Sequence, residues 1–165
     1  MKPSDVVVVF PPCTEFSRAL TSRPRDLKAG SRNVKSALKV TAFVRQLAGK
    51  CAWFLENPVG LLHRQRFMAP MEPHKNVCTY CRYGKAFKKP THVWSNVPDL
   101  ELKACSRDAP CAFKRECGFH PVTAQAGSSP NGRVKGSGGG RNVYPIPSKL
   151  CTELFRKAIA HLGDL

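Results

Sequence analysis

The sequence predicts an α/β protein with an open, mostly parallel sheet, flanking helices and an irregular, basic, cysteine-rich loop region. Two apolar runs, 5–10 and 51–55, lack polar alternation, which is typical of strands buried on both faces. Between them, apolar side chains follow a helical period from Asn33 to Gly49. Because strand, helix and strand follow one another, we expect a right-handed βαβ unit. A hydrophobic content of 42% is enough for a packed core and excludes a wholly disordered chain.

Residues that break regular structure mark the ends of these elements. Pro11 and Pro12 stop the first strand because proline cannot donate to a strand ladder. Residues 17–32 are rich in arginine, serine, proline and glycine and predict a mobile basic loop. The helix then runs to Gly49, a residue that commonly follows a helix C-terminus.

The rest of the chain has weaker patterns. Two short strands are expected at 76–80 and 92–94, joined by a basic turn. Regular patterning fades over 98–140, and the Gly/Ser-rich run 126–140 is typical of a flexible segment. A final amphipathic helix is predicted from about Ser148 to Leu162.

The charge of the chain points to a polyanionic partner. Lysine and arginine number 27 against 11 acidic residues, a formal net charge of +16, and nucleic acid is the usual partner of such a protein. No apolar run is as long as a bilayer span, so we expect no membrane partner. The eight cysteines are too few for a disulfide scaffold, and no export signal is evident. We therefore expect reduced thiols and an intracellular location: a nucleus, a nucleoid or a cell infected by a virus or phage.

The two buried strands each deliver a reactive group to the same edge of the sheet. Cys13 follows the first strand, and Glu56 follows the second. Ligands of open parallel sheets bind beyond the carboxyl ends of the strands. A thiol beside a carboxyl group is suited to adding a nucleophile to an electron-poor ring while protonating that ring elsewhere.

Four segments in order resemble the motifs of the cytosine-C5 DNA methyltransferases. PPCTEFS resembles the family's proline-cysteine motif, and FLENPVG resembles its Glu-Asn motif. YCRYG with KKPTHVW resembles the glycine-turn motif that faces DNA, in a form closer to phage and viral members. YPIPSKL resembles the closing motif. The resemblance implies a partial Rossmann-like methyltransferase domain, with a catalytic core in 1–96, a short recognition or zinc-binding loop region in 97–140, and the closing motif with its helix in 141–165.

The resemblance also implies a reaction. Cys13 would add to C6 of a flipped cytosine, so that C5 can attack the methyl group of S-adenosylmethionine. Glu56, kept neutral by burial that raises its pKa, would bind ring N3, with Asn57 beside it. The resemblance assigns the cofactor side of the site to Pro11, Pro12 and Asn142.

Basic and polar residues near these motifs are candidates for nucleic-acid contacts. Arg18 would also favour the thiolate of the nucleophilic cysteine. For Lys88 and Lys89, a solvated charged turn is the alternative interpretation. The full set is Arg18, Arg82, Lys88, Lys89 and Thr91.

The family's N-terminal strand and Phe-x-Gly-x-Gly cofactor loop have no counterpart in this chain. The first strand is too apolar to be left as an exposed edge. We therefore expect the catalytic half of a methyltransferase, either truncated or completed by a second chain that supplies the cofactor-binding half.

A cysteine-rich segment offers four soft metal ligands within a short stretch. Cys105, Cys111, Cys117 and His120 form the donor set that tetrahedral zinc uses. The alternative is that these are ordinary thiols of a loop. The close pair Cys78 and Cys81 lies earlier, inside the glycine-turn motif.

Two other functions fit the same residues. One is a non-catalytic, basic nucleic-acid-binding protein, stabilised by zinc and derived from such an enzyme. The other is an RNA cytosine methyltransferase with the same chemistry.

Overall fold

The computed structural model describes residues 6–18, 20, 22–48, 51–124, 129, 132–137 and 145–163. This part of the chain contains six strands and three α-helices, besides short 3₁₀ helices. In chain order they are β1 Val6–Val9, α1 Leu27–Ala48, β2 Ala52–Pro58, β3 Lys75–Thr79, β4 Pro90–Ser95, α2 Ala112–Cys117, β5 Val122–Thr123, β6 Lys135–Gly136 and α3 Ser148–Gly163.

The central element is a mixed four-stranded sheet in the order β1-β2-β4-β3. β1 and β2 are parallel, with Val6 beside Ala52 and Val9 beside Leu55, and α1 connects them. The α/β class and the βαβ unit are therefore confirmed. β1 lies at one edge of this sheet, and its four valines are only half-buried.

Helix α1 begins six residues earlier than the sequence predicts, so residues 27–32 are helical rather than part of a loop. Asp26 caps it: its carboxylate accepts a hydrogen bond from Ala29 N (2.8 Å) and its carbonyl accepts one from Gly30 N (3.0 Å). Glycine is unfavourable inside a helix, but Gly30 is needed here because α1 packs closely against Glu15. A Cβ at this position would lie 2.7 Å from Cβ of Glu15.

A hydrophobic core covers one side of the strands and is closed by two 3₁₀ helices, Leu62–Arg64 and Arg66–His74. Two fully buried tryptophans dominate it, and each contributes on the order of 3 kcal/mol by burial. The buried members of this core are Phe16, Val34, Trp53, Leu55, Leu62, Met68 and Trp94.

The contacts divide the chain into two compact units that are not contiguous in sequence. The first consists of Met1–Asn76, His92–Glu101 and Leu154–Leu165, and the second of Val77–Thr91 and Leu102–Glu153. The segment 80–84 of the glycine-turn motif is thus grouped with the cysteine-rich segment, whereas residues 92–94 of the same motif belong to the first unit.

The second unit has little aliphatic core of its own around the cysteines. Its buried cluster there consists of Cys81, Cys105 and Cys111, with Phe113 packed against it. Nearby, the Tyr83 hydroxyl donates to the buried carboxylate of Glu153 (3.2 Å). Within the described residues, no helix is both long enough and apolar enough to cross a bilayer.

Candidate functional site

The first candidate site is the loop that follows β1. Pro11 is buried, Pro12 is exposed, and the Cys13 side chain is half-buried. The Cys13 carbonyl accepts a hydrogen bond from Phe16 N (3.0 Å), which starts the 3₁₀ helix Thr14–Phe16. The two prolines end the strand, and this turn then fixes the backbone that carries the thiol.

The end of β2 is tied to this loop on both sides of Cys13. The Asn57 side-chain amide donates to the Pro11 carbonyl (3.3 Å), and Leu61 N donates to the Phe16 carbonyl (2.8 Å). Gly60 makes the second contact possible, because a Cβ there would lie 2.2 Å from that carbonyl oxygen. The structure thus brings the Cys13 loop and the β2 end together at one edge of the sheet.

The two polar residues at the end of β2 are buried. Glu56 is 7% exposed and Asn57 is 1% exposed. Asn57 Oδ1 has no hydrogen-bond partner among the described residues, although its amide nitrogen is engaged. Asn57 therefore acts as a positioning residue for the Cys13 loop and leaves one buried acceptor unused.

The loop beyond Cys13 is held against the start of α1. The Glu15 carboxylate forms an ion pair with Arg23 and accepts a hydrogen bond from Asp26 N (2.6 Å). The hydrogen bond from Arg23, and then that from Asp26, lower the pKa of Glu15. The Glu15 carboxylate therefore stabilises the loop. The side chain of Arg18 is exposed.

Among the described residues, the loops that follow β1 and β2 contain no glycine-rich turn of the kind that cradles an extended cofactor. Asn142, expected on the cofactor side, lies outside the described residues.

The second candidate site is a cluster of three cysteines and one histidine in the second unit. The ligand atoms of Cys81, Cys105, Cys111 and His120 all lie within 4.8 Å of one another. His120 Nε2 is 3.3 Å from Cys111 Sγ and 3.7 Å from Cys105 Sγ. Tetrahedral zinc with sulfur and nitrogen ligands requires separations of about 3.5–3.8 Å, so the cluster could hold a metal ion with little rearrangement.

Hydrogen bonds from the surrounding backbone organise the cluster. Cys111 N donates to Cys105 Sγ (3.4 Å), and Cys105 N donates to the Thr79 hydroxyl (2.7 Å). That hydroxyl also accepts a hydrogen bond from the Cys81 thiol (3.5 Å). Such contacts orient the ligands before any metal binds.

The pKa shifts of two thiols in the cluster, Cys81 and Cys105, have opposite directions. Burial raises the pKa of Cys81 to about 12, despite the opposing hydrogen bond with Thr79. Burial also acts to raise the pKa of Cys105, but the hydrogen bonds from the backbone and thiol of Cys111 outweigh it and lower that pKa. Burial, followed by the charges of Lys88 and Lys114, lowers the pKa of His120, which leaves a neutral imidazole able to bind a metal.

One of the four metal ligands expected from the sequence is wrong. Cys105, Cys111 and His120 are brought together, but the fourth position is taken by Cys81 and not by Cys117. Cys117 is exposed because it lies at the C-terminal end of α2, away from the buried thiols. Cys81 reaches the cluster from the 3₁₀ helix Tyr80–Tyr83.

Two of the residues expected to contact nucleic acid form hydrogen bonds within the protein. Thr91 is fully buried, and its hydroxyl donates to the Lys89 carbonyl (3.2 Å). The Arg82 guanidinium donates to the Pro110 carbonyl (2.8 Å) and joins the turn of Cys81 to the loop of Cys111. Thr91 and Arg82 therefore support the local structure.

The basic turn carries one exposed and one half-buried lysine. Lys88 is exposed, and Lys89 extends over Tyr80 with its Nζ 4.6 Å from the ring centroid. Lys89 has φ 29°, in the left-handed region that few non-glycine residues adopt.

The sequence analysis missed a pair of histidines in the first unit, of which His92 is buried and His63 is half-buried. The rings of His63 and His92 are 4.9 Å apart, and His92 lies 5.3 Å from Trp94. Neither Nδ1 has a hydrogen-bond partner among the described residues. Isolated histidines separated by 29 positions carry no local pattern that would have predicted this contact.

Comparison of the chain with protein-family models and with curated proteins finds no match in either.

Proposed function

We propose that this chain carries the nucleophile and the acid of a cytosine-C5 DNA methyltransferase, with Cys13 and Glu56 as its reacting groups. The observation that carries the proposal is the pair of hydrogen bonds that flank Cys13, from Asn57 to Pro11 and from Leu61 to Phe16. They hold the thiol loop at the strand end that bears Glu56. The methyl donor of this enzyme class is S-adenosylmethionine, whose site requires residues outside the described part of the chain.

The chain's own residues would perform the steps on the pyrimidine ring. The Cys13 thiolate forms a bond to C6, and the ring electrons move toward N3, which receives a proton or hydrogen bond from Glu56. C5 then becomes nucleophilic and accepts an electrophile. Loss of the C5 hydrogen as a proton expels the thiolate and restores the aromatic ring. The target base must leave the duplex, because its ring faces are stacked there.

The test uses a reaction that needs no methyl donor. Reversible addition at C6 lets C5 take up a deuteron from heavy water, so the wild-type chain is expected to exchange the C5 hydrogen of cytosine in duplex DNA. Mass spectrometry of the recovered nucleosides measures this exchange. Cys13→Ser should abolish it, and Cys151→Ser, at a cysteine that is also half-buried, should not. No exchange by the wild-type chain, or equal exchange by Cys13→Ser, would contradict the proposal.

We also propose that the Cys81, Cys105, Cys111 and His120 cluster binds one structural zinc ion. Three thiolates and an imidazole fill the four positions of tetrahedral zinc and leave none open for substrate. Native mass spectrometry should find one zinc per chain. A folded, metal-free protein that takes up no added zinc would exclude the site.

A second candidate function is non-catalytic nucleic-acid binding. The observation that favours it is the Cys₃His cluster, which lies in a different unit from Cys13 and needs none of the catalytic residues. A chain that binds DNA and zinc but exchanges no C5 hydrogen would have this function.

A further inference from the structure

Positive charge is concentrated in the unit that carries the Cys₃His cluster. This unit, Val77–Thr91 with Leu102–Glu153, contains twelve lysines and arginines and three acidic residues, a net charge of +9. One of the three acids, Glu153, is buried and neutralised by Lys103 at 3.0 Å. Only Asp108 and Glu116 remain exposed to oppose the basic residues.

Two of these lysines flank the cluster. Lys88 is exposed and follows the turn of Cys81, and Lys114 is partly exposed on α2, three residues after Cys111. Lys88 lies seven residues after Cys81, and Lys114 lies six residues before His120, so each lysine is carried by a segment that supplies a ligand of the cluster. Neither lysine forms an ion pair with any residue that the structure describes. Arg115 is exposed beside Lys114 on the same short helix.

The cluster is one of several connections between the segments that bear these charges, beside the hydrogen bonds from Arg82 to Pro110 and from Cys105 to Thr79. Helix α2 has six residues, too few to be stable alone in water. The buried group that α2 packs on consists of three thiols, with Phe113 of α2 half-buried against them, so hydrophobic burial there is small. A metal bound by Cys81, Cys111 and His120 would therefore strengthen the links that fix how Lys88 and Lys114 are spaced.

We propose that Lys88, Lys89, Lys114 and Arg115 form a metal-organised surface that binds the phosphate backbone of DNA. The proposal deepens the DNA-directed function above, since it places a DNA contact in the unit of the cluster. An alternative role for the two lysines is to balance the single negative charge of a zinc ion bound by three thiolates. In that case their loss would weaken metal binding and leave DNA binding unchanged.

The experiment compares two double variants of equal charge. Lys88→Glu with Lys114→Glu alters the surface, and Lys28→Glu with Lys39→Glu alters exposed positions of α1. Binding to a duplex of about 30 base pairs is measured by fluorescence anisotropy at several salt concentrations. Loss of two phosphate contacts should flatten the slope of log K against log salt by about 2, whereas the α1 variant should retain most of the wild-type slope. Neutral Lys88→Gln with Lys114→Gln repeats the comparison if charge reversal impairs folding.

The metal dependence is tested on the same duplex. Removal of zinc by a chelator should lower the affinity of the wild-type chain by at least about tenfold, and added zinc should restore it. Equal losses in the two double variants, or unchanged binding by the chelated protein, would overturn the proposal. Tighter binding of an RNA duplex than of DNA would overturn DNA as the partner. The exchange of the C5 hydrogen by the wild-type chain is measured separately, which distinguishes a failure of this surface from a failure of the catalytic proposal.

Discussion

Acidification should destabilise the first unit through one buried histidine. His92 is 6% exposed in β4, and burial, followed by the positive charges of His63 and Lys75, lowers its pKa to about 4. In the unfolded chain the pKa returns to about 6.5. The unfolded state therefore takes up a proton first as the pH falls, so the associated stability is complete above pH 6.5 and is lost on the way down to pH 4.

The size of this effect follows from the difference between the two pKa values. About 2.5 pH units at about 1.4 kcal/mol per unit correspond to about 3 kcal/mol of unfolding free energy lost between pH 6.5 and pH 4. Such a loss is a large fraction of the stability of a small protein.

Urea unfolding at several pH values within this window provides the measurement. His92→Gln cannot titrate, so its stability should fall with pH by about 3 kcal/mol less than that of the wild type. Carboxylates titrate in both proteins, so their contribution cancels in the comparison. His161→Gln, at a partly exposed helix position, should keep the wild-type pH dependence. If His92→Gln and wild type lose stability in parallel, His92 is not the source of the acid sensitivity.

Two substitutions test the contacts at the candidate sites. Gly60→Ala places a Cβ against the Phe16 carbonyl and should cost about 1–3 kcal/mol in urea unfolding, whereas Gly163→Ala meets no neighbouring atoms and should cost little. Equal stability of the two variants would show that the loop at Phe16 moves aside at little cost in free energy, which would contradict the expected effect. Cys111→Ser should lose bound zinc in elemental analysis and Cys117→Ser should retain it, so the reverse result would contradict the ligand set.

The strands and helices were predictable where the pattern is local. The apolar run of β2 is buried on both faces as predicted, and the intervening helix has its own period. The run of β1 predicted the strand but not its burial, because β1 lies at the sheet edge with half-buried valines. The start of α1 was missed because the arginine, serine, proline and glycine content of 17–32 is typical of a loop, and Gly30 is part of that content. It is tolerated there because it lets the helix approach Glu15, a contact that no local sequence pattern reveals.

The same distinction explains the metal ligands. The three ligands in the cysteine-rich segment follow one another closely, and their spacing was informative. Cys81 joins them from 24 residues before Cys105, across a strand and a turn, and its nearest partner in sequence, Cys78, is not part of the cluster. Cys117 has suitable spacing, but its position on a short helix turns it outward. Tertiary geometry, and not spacing, selects the fourth ligand.

The interleaving of the two units governs the order in which the chain can assemble during synthesis. Cys81 leaves the ribosome 39 residues ahead of His120, and the intervening segment includes His92–Glu101, which belongs to the other unit. Neither unit can be released by a single cut, and the proposed zinc binding requires the Cys81 thiol to stay reduced until His120 emerges. Zinc supply and redox conditions at the time of translation would then set the yield of native protein.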